Sequence, residues 1–301
     1  DDLSLGTPRE ATYRFVAPGG TWDRLDNGMY MITLLADAVE DTSGNFTASI
    51  VVRSEAAAAD DSSFDVEVTG AQYNIRDLGS LGGSTSDARA VNSAGIVVGG
   101  ADSGAGQQLA FVYFDTNENG VRDPDELISL GTLNQFSTSS AALGLSDHQN
   151  IDDVLVVGQS TNETGRQHAF LYINQQMIDL GTLAADGAGS SSAKAVNTKA
   201  TVVGNAATVG DNTILHAFIF QDANENQLAD EGEMVDLNDL IDSNPDELTL
   251  TSASGINEDG QIVGEATNPS GQVRAFLFDN GQVTDLGTFG GDTGRAMAIN
   301  S

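Results

Sequence analysis

Two twelve-residue stretches carry oxygen-bearing side chains in an order that suits a divalent cation. In "DTNENGVRDPDE", residues 115–126, Asp115, Asn117, Asn119, Asp123 and Glu126 fall at places one, three, five, nine and twelve. In "DANENQLADEGE", residues 222–233, the same places hold Asp222, Asn224, Asn226, Asp230 and Glu233. Calcium takes roughly six to eight oxygen ligands, and a loop of this spacing adds the backbone carbonyl of its seventh residue, here Val121 and Leu228. The ninth-place ligand often acts through water, and the twelfth-place glutamate is bidentate. The sixth place requires a left-handed backbone, which Gly120 suits. Gln227 stands there in the second loop and implies strain and weaker binding. The competing reading is two solvated acidic hairpin tips; two full matches at equivalent places favour calcium.

Strands, not helices, must hold these loops. "LAFVYF" alternates before the first, and the same element recurs along the chain. Four stretches match one another: "AVNSAGIVVGG" from Ala90, "LGLSDHQNIDDVLVVGQ" from Leu143, "AVNTKATVVGN" from Ala195 and "GINEDGQIVGE" from Gly255. Each ends in an apolar pair and a glycine: Gly99, Gly158, Gly204 and Gly264. An Ala-Phe pair follows in "LAFVY", "HAFLY", "HAFIF" and "RAFLF", with its Phe at 111, 170, 218 and 276. Then comes "ISLGTL", "IDLGTL", "VDLNDL" or "TDLGTF"; a leading "RDLGSLGG" precedes the first unit and "GRAMAIN" begins a fifth. Turn residues separate four short strands in every unit, the pattern of a β-propeller blade. The expected fold is all-β, a propeller-like array of four-stranded blades, with a β-solenoid as the alternative. One such sheet cannot bury both faces alone, so the four phenylalanines are expected in the core between blades. The glycine after the apolar pair marks either a bulge with close backbone approach or a simple turn.

Phe111 and Phe218 stand eighteen residues before their "SLG" and "DLN" elements, Phe170 and Phe276 only nine before their "DLG". Units one and three therefore carry the same enlarged hairpin, and both candidate calcium loops lie in it.

The elements "HAFLY", "DLGTL", "AVNxxxxVVG" and "GINEDGQIVGE" together resemble the extracellular HAF repeats of secreted or surface proteins of bacteria and some archaea. The resemblance covers about residues 73–301. It implies a propeller-like fold and an extracellular location, and no catalytic residue. The first residue of the triad is Leu109 in unit one and Arg274 in unit four, and only His168 and His216 keep the histidine. A metal ligand or general base would not be replaced by Leu in an equivalent blade, so both are read as structural. His148, in "SDHQNIDD", has no evident partner.

Residues 1–53 do not match the repeat. They carry Trp22, Asp23, Asp26, Asn27, Gly28 and Tyr30, then Val39, Asp41, Gly44 and Asn45, and resemble the C-terminal part of a bacterial Ig-like domain. "MYMITLL" and "FTASIVV" alternate as strands do, and Trp22 is read as a packing residue. The small acidic stretch 54–68, with "SEAAAADDSS", reads as a linker, and 69–301 as the repeat domain. Both ends of the chain read as cut from a longer protein.

Forty-four acidic residues face twelve basic ones, a formal net charge of −32. Nucleic acid is excluded as a partner, because phosphate backbones need cationic patches. There is no cysteine, hence no disulfide, catalytic thiol or thiolate zinc site. No apolar run reaches a membrane span. The expectation is a non-enzymatic secreted or cell-surface module that binds a glycan or protein, with calcium-ordered loops. A propeller-type glycoside hydrolase or lyase would need paired carboxylates at a channel mouth, and no such pair stands out. A purely structural spacer is the third reading.

Overall fold

The computed structural model describes Met31–Leu34, Ile50–Arg53 and residues 76–300 apart from Glu118, Val121 and Glu225. The chain divides into two compact units, residues 1–75 and 76–301. In the first, β1 (Met31–Leu34) and β2 (Ile50–Arg53) pair antiparallel, with Met31 opposite Arg53. Both lie in the alternating stretches read as strands. Trp22 and the 54–68 linker fall outside the described residues.

The second unit is built from four antiparallel four-stranded sheets in simple strand order, one per sequence repeat, labelled blades one to four in chain order. Blade one holds β3 (Gly82–Val91), β4 (Val97–Ser103), β5 (Gln108–Tyr113) and β6 (Leu127–Gly131). Blade two holds β7 (Ser140–Leu145), β8 (Val156–Thr161), β9 (Gln167–Ile173) and β10 (Gln176–Asp179). Blade three holds β11 (Ser191–Val196), β12 (Val202–Ala207), β13 (Leu215–Phe220) and β14 (Met234–Asp236), followed by a 3-10 turn at Leu237–Leu240. Blade four holds β15 (Thr249–Ile256), β16 (Ile262–Thr267), β17 (Val273–Asp279) and β18 (Gln282–Gly287).

The recurring glycine is a close approach, not a turn. In every blade it pairs across the sheet with the recurring phenylalanine: Gly99 with Phe111, Gly158 with Phe170, Gly204 with Phe218 and Gly264 with Phe276. On its other side the first strand bulges, and the register slips beside Ala88, Ala142, Ala193 and Ala253. A Cβ on any of these glycines would stand 2.0 Å from a first-strand carbonyl oxygen and 2.8–3.0 Å from the phenylalanine ring. The missing side chain is what lets bulge and ring share the space.

The cores lie between blades. Phe111, Phe170, Phe218 and Phe276 are at most 1% exposed. Phe170 packs with Val98, Val112 and Leu130 of blade one; Phe218 with Val157, Leu171 and Leu180 of blade two; Phe276 with Val203 and Leu237 of blade three. The first leucine of the "SLG", "DLG" and "DLN" elements of blades one to three therefore fills the core of the following blade. Leu78 and Leu81, from the leading copy, do the same for Phe111. Leu286 and Phe289, the last pair in the chain, are exposed (51% and 113%).

Polar groups tie successive blades together. The Ser140 hydroxyl accepts from the Ala110 N–H at 2.8 Å and donates to the Gly131 carbonyl. Ser191 repeats this with Ala169 and Gly181 one blade later. Between blades three and four the job passes to Asn238, whose amide bridges the N–H and carbonyl of Leu250 at 2.8 and 3.0 Å. This accounts for the departure from "DLG" to "DLN" in that unit.

Candidate metal loops

In a meander of this order the first-to-second and third-to-fourth connections share one end of the blade. Both candidate loops are third-to-fourth hairpins, so each projects from that end. Their two strands close the loop in the same way: the Phe114 N–H donates to the Glu126 carbonyl, and the Gln221 N–H to the Glu233 carbonyl.

Inside the loops the hydrogen bonds match place for place. The Asp115 carboxylate accepts from the N–H groups of Asn119 and Gly120, and Asp222 from those of Asn226 and Gln227. The side-chain amides of Asn117 and Asn119 both donate to one oxygen of Asp123, at 2.7 and 2.9 Å. Those of Asn224 and Asn226 converge on Asp230 at 2.8 and 2.7 Å. Glu126 folds back on the N–H groups of Thr116 and Asp123, and Glu233 on those of Ala223 and Asp230. The sixth residue is left-handed in both, Gly120 at φ +75° and Gln227 at φ +61°. The predicted backbone is therefore present, including the strain at Gln227.

The side chains are of the kind that suits a hard cation, carboxylates and amides only, and they are held by hydrogen bonds to one another and to the loop backbone. Asp115, Asn117, Asn119, Asp123 and Glu126 are brought together, as are Asp222, Asn224, Asn226, Asp230 and Glu233. The Leu228 N–H donates to the Asn226 side chain, and Val121 lies outside the described residues. Among the described residues no three His, Asp or Glu side chains form a metal cluster by themselves. In each loop two of the side-chain ligands are amides, and the glutamate spends its oxygens on backbone donors.

Charge is handled differently in the two loops. Burial pushes the Asp115 carboxyl up, but the Arg76 guanidinium, 2.8 Å from it, and the Gly120 N–H outweigh this and hold it below the usual range. Arg76 also donates to the Tyr113 hydroxyl at 2.7 Å. Glu126 is 2% exposed. In the second loop the Asn224 and Asn226 amides hold Asp230 below the usual range. Gln227 accepts there from the Asn174 amide of blade two at 3.0 Å, so its side chain has an inter-blade role that glycine could not supply.

The triad histidines also find partners. His168 Nδ1 lies 2.8 Å from Asp179, and His216 Nδ1 lies 2.5 Å from Asp236, each the Asp of its own "DLG"-type element. Arg274 makes the same contact with Asp285 at 2.8 Å. In unit one, where Leu109 replaces the histidine, the partner position is Ser129. These carboxylates also accept from the backbone two residues on, at Gly181, Asn238 and Gly287. The pairing is a side-chain clip between third and fourth strands. His148 bonds to the Ser146 hydroxyl at 2.8 Å.

The fold and its loops define an all-β repeat protein of antiparallel four-stranded sheets with two matched acidic hairpins. The chain belongs to the DUF3466 family, described as a protein of unknown function, whose model matches residues 39–289. No curated protein and no solved structure matches it. Among the described residues no helix is long and apolar enough to cross a membrane.

Proposed function

We propose that the chain is a non-enzymatic binding module of a secreted or cell-surface protein, a propeller-like array whose loop end is ordered by calcium and takes a glycan or protein ligand. The observation that carries the reading is the place-for-place identity of two twelve-residue loops in alternate blades. They differ in sequence at six places and keep every oxygen-bearing ligand side chain. A common ligand gives both loops a reason to keep that set beyond the hydrogen bonds the side chains make within each loop. The blade reading is favoured over a solenoid because each sheet forms within one repeat by antiparallel pairing. His168, His216 and Arg274 are engaged in clips with Asp179, Asp236 and Asp285, which favours binding over catalysis. The HAF resemblance supports the extracellular setting.

The test is calorimetric titration of the chelator-treated chain with calcium, against magnesium and sodium controls. Calcium-specific heat with about two sites supports the reading; sodium raising the melting temperature equally well, with no calcium heat, leaves only a solvated acidic surface. A glycan array run with and without calcium then separates a binding module from a spacer, and a carbohydrate-release assay on neutral and acidic polysaccharides separates it from a hydrolase or lyase.

A further inference from the structure

The chain carries 44 acidic residues against 12 basic ones. The first strands of the blades reverse this. β3, β7, β11, β15 and the 294–300 segment hold Asp87 alone against Arg89, Lys194 and Arg295. Asp87 is already paired with Arg89. The other two cations meet on blade four.

Ser252 on β15 and Glu265 on β16 stand directly opposite one another, so their side chains share a face. Lys194, on β11 of the preceding blade, sends its amine to the Ser252 hydroxyl at 2.7 Å. Arg295 comes from the other side. Its segment runs along blade four, with the Gly294 N–H on the Val273 carbonyl and the Ala296 N–H on the Gly264 carbonyl. Its guanidinium reaches Glu265 at 3.0 Å. Two cations thus converge on one carboxylate and one hydroxyl. In blades one to three the position of Glu265 is taken by Gly100, Gln159 and Asn205, opposite Asp87, Ala141 and Ser192. The cluster belongs to blade four and is not required by the repeat.

We propose that Lys194, Ser252 and Arg295 form a binding site for a small oxyanionic group, a carboxylate or sulfate. The residual positive charge supplies the attraction. The Lys194 amine and Ser252 hydroxyl supply donors from one side, and the Arg295 guanidinium offers a planar fork from the other. Arg295 is 60% exposed, so an incoming anion can reach its guanidinium beside Glu265. Lys194 is held for the purpose at some cost: burial pushes its amine down, Glu265 pushes it up, and Arg295 pushes it down again. The proposal needs only the geometry of blade four and stands apart from the calcium loops and from the binding-module reading.

The experiment is titration of the whole chain at low ionic strength with sodium sulfate and, separately, with sodium glucuronate, in calcium and again in chelator. Binding of either anion is expected in both conditions, and the stronger of the two names the preferred group. Lys194→Met and Arg295→Gln should each weaken it about tenfold or more. Glu265→Gln, which removes the competing carboxylate, should strengthen it several-fold. Thermal melts check that each variant is folded. A Lys194–Ser252–Glu265–Arg295 cluster with a purely structural role gives folded variants, a destabilised Glu265→Gln and no gain in binding. That result, or wild-type chain that binds neither anion, overturns the proposal.

Discussion

Gly204→Ala tests the packing rule on which every blade depends. Gly204 lies in blade three, with a blade on either side. A Cβ there would stand 2.0 Å from the Ser192 carbonyl oxygen, 2.8 Å from the Phe218 ring and 2.9 Å from the Ala193 Cα. An ordinary carbon–oxygen approach is about 3.3 Å, so the bulge must open by roughly 1.3 Å. Neither neighbour can give cheaply. The carbonyl is backbone, and Phe218 is buried between blades two and three. Overpacking a core costs about 1–3 kcal/mol, and a backbone clash on one side with a buried ring on the other puts this site at the upper end. For a folded unit of this size about 3 kcal/mol lowers the melting temperature by roughly 6–12 °C. Gly291→Ala is the control, since a Cβ there meets nothing within 4 Å. Differential scanning calorimetry reads both. A Gly204→Ala chain melting within about 3 °C of the control would refute the account of why glycine recurs.

Removing the clip in blade two by Asp179→Ala should destabilise the fold by about 1–3 kcal/mol, the worth of a hydrogen bond to a charged group; Ser129→Ala, at the same place in blade one, should be near neutral, and urea melts of the two separate them. Glu126→Gln should weaken calcium binding at the first loop and leave the blades folded, while Arg76→Gln should tighten it by removing a cation from beside Asp115; calorimetric titration reads both, and tighter binding by Glu126→Gln would reverse the ligand assignment. Asp115 and Asp230 are held below their ordinary 3.8, so their contribution is present above that value and is lost as pH falls through their lower folded values. Acid titration monitored by circular dichroism should therefore show Asp230→Asn differing from wild type least below that window, where wild type has already lost the contribution.

The architecture was legible because each structural task falls on a repeated residue. A Phe at 111, 170, 218 and 276, and a leucine at 130, 180, 237 and 286, recur at fixed order whatever the loops between them do. A core built between like units leaves that imprint. The glycine was only half legible. A bulge depends on the register of two strands, and a single strand's sequence shows a glycine without showing what crowds it. The move from "DLG" to "DLN" was also opaque in the sequence, because Asn238 acts on Leu250, in the next blade.

The site was legible as far as it is local. All twelve places of each loop lie in one window, and ligand order and left-handed sixth residue follow from that window. The parts that were missed are long-range. Arg76 stands 39 residues before Asp115, and Asn174 stands 53 before Gln227. The His–Asp clip did leave a signal in the sequence: histidine and aspartate disappear together in unit one, as Leu109 and Ser129, and in unit four Arg274 stands opposite Asp285. These contacts change how the loops compare. Judged by the sixth residue alone, Gly120 makes the first loop the stronger site. Yet the first loop already holds a cation at Asp115, which opposes a second, while Gln227 recovers part of its backbone strain through Asn174. Gln227→Gly thus relieves strain and breaks an inter-blade hydrogen bond in one step. Its gain in calcium affinity should exceed its gain in fold stability, a difference that a strain-only account of the second loop does not allow.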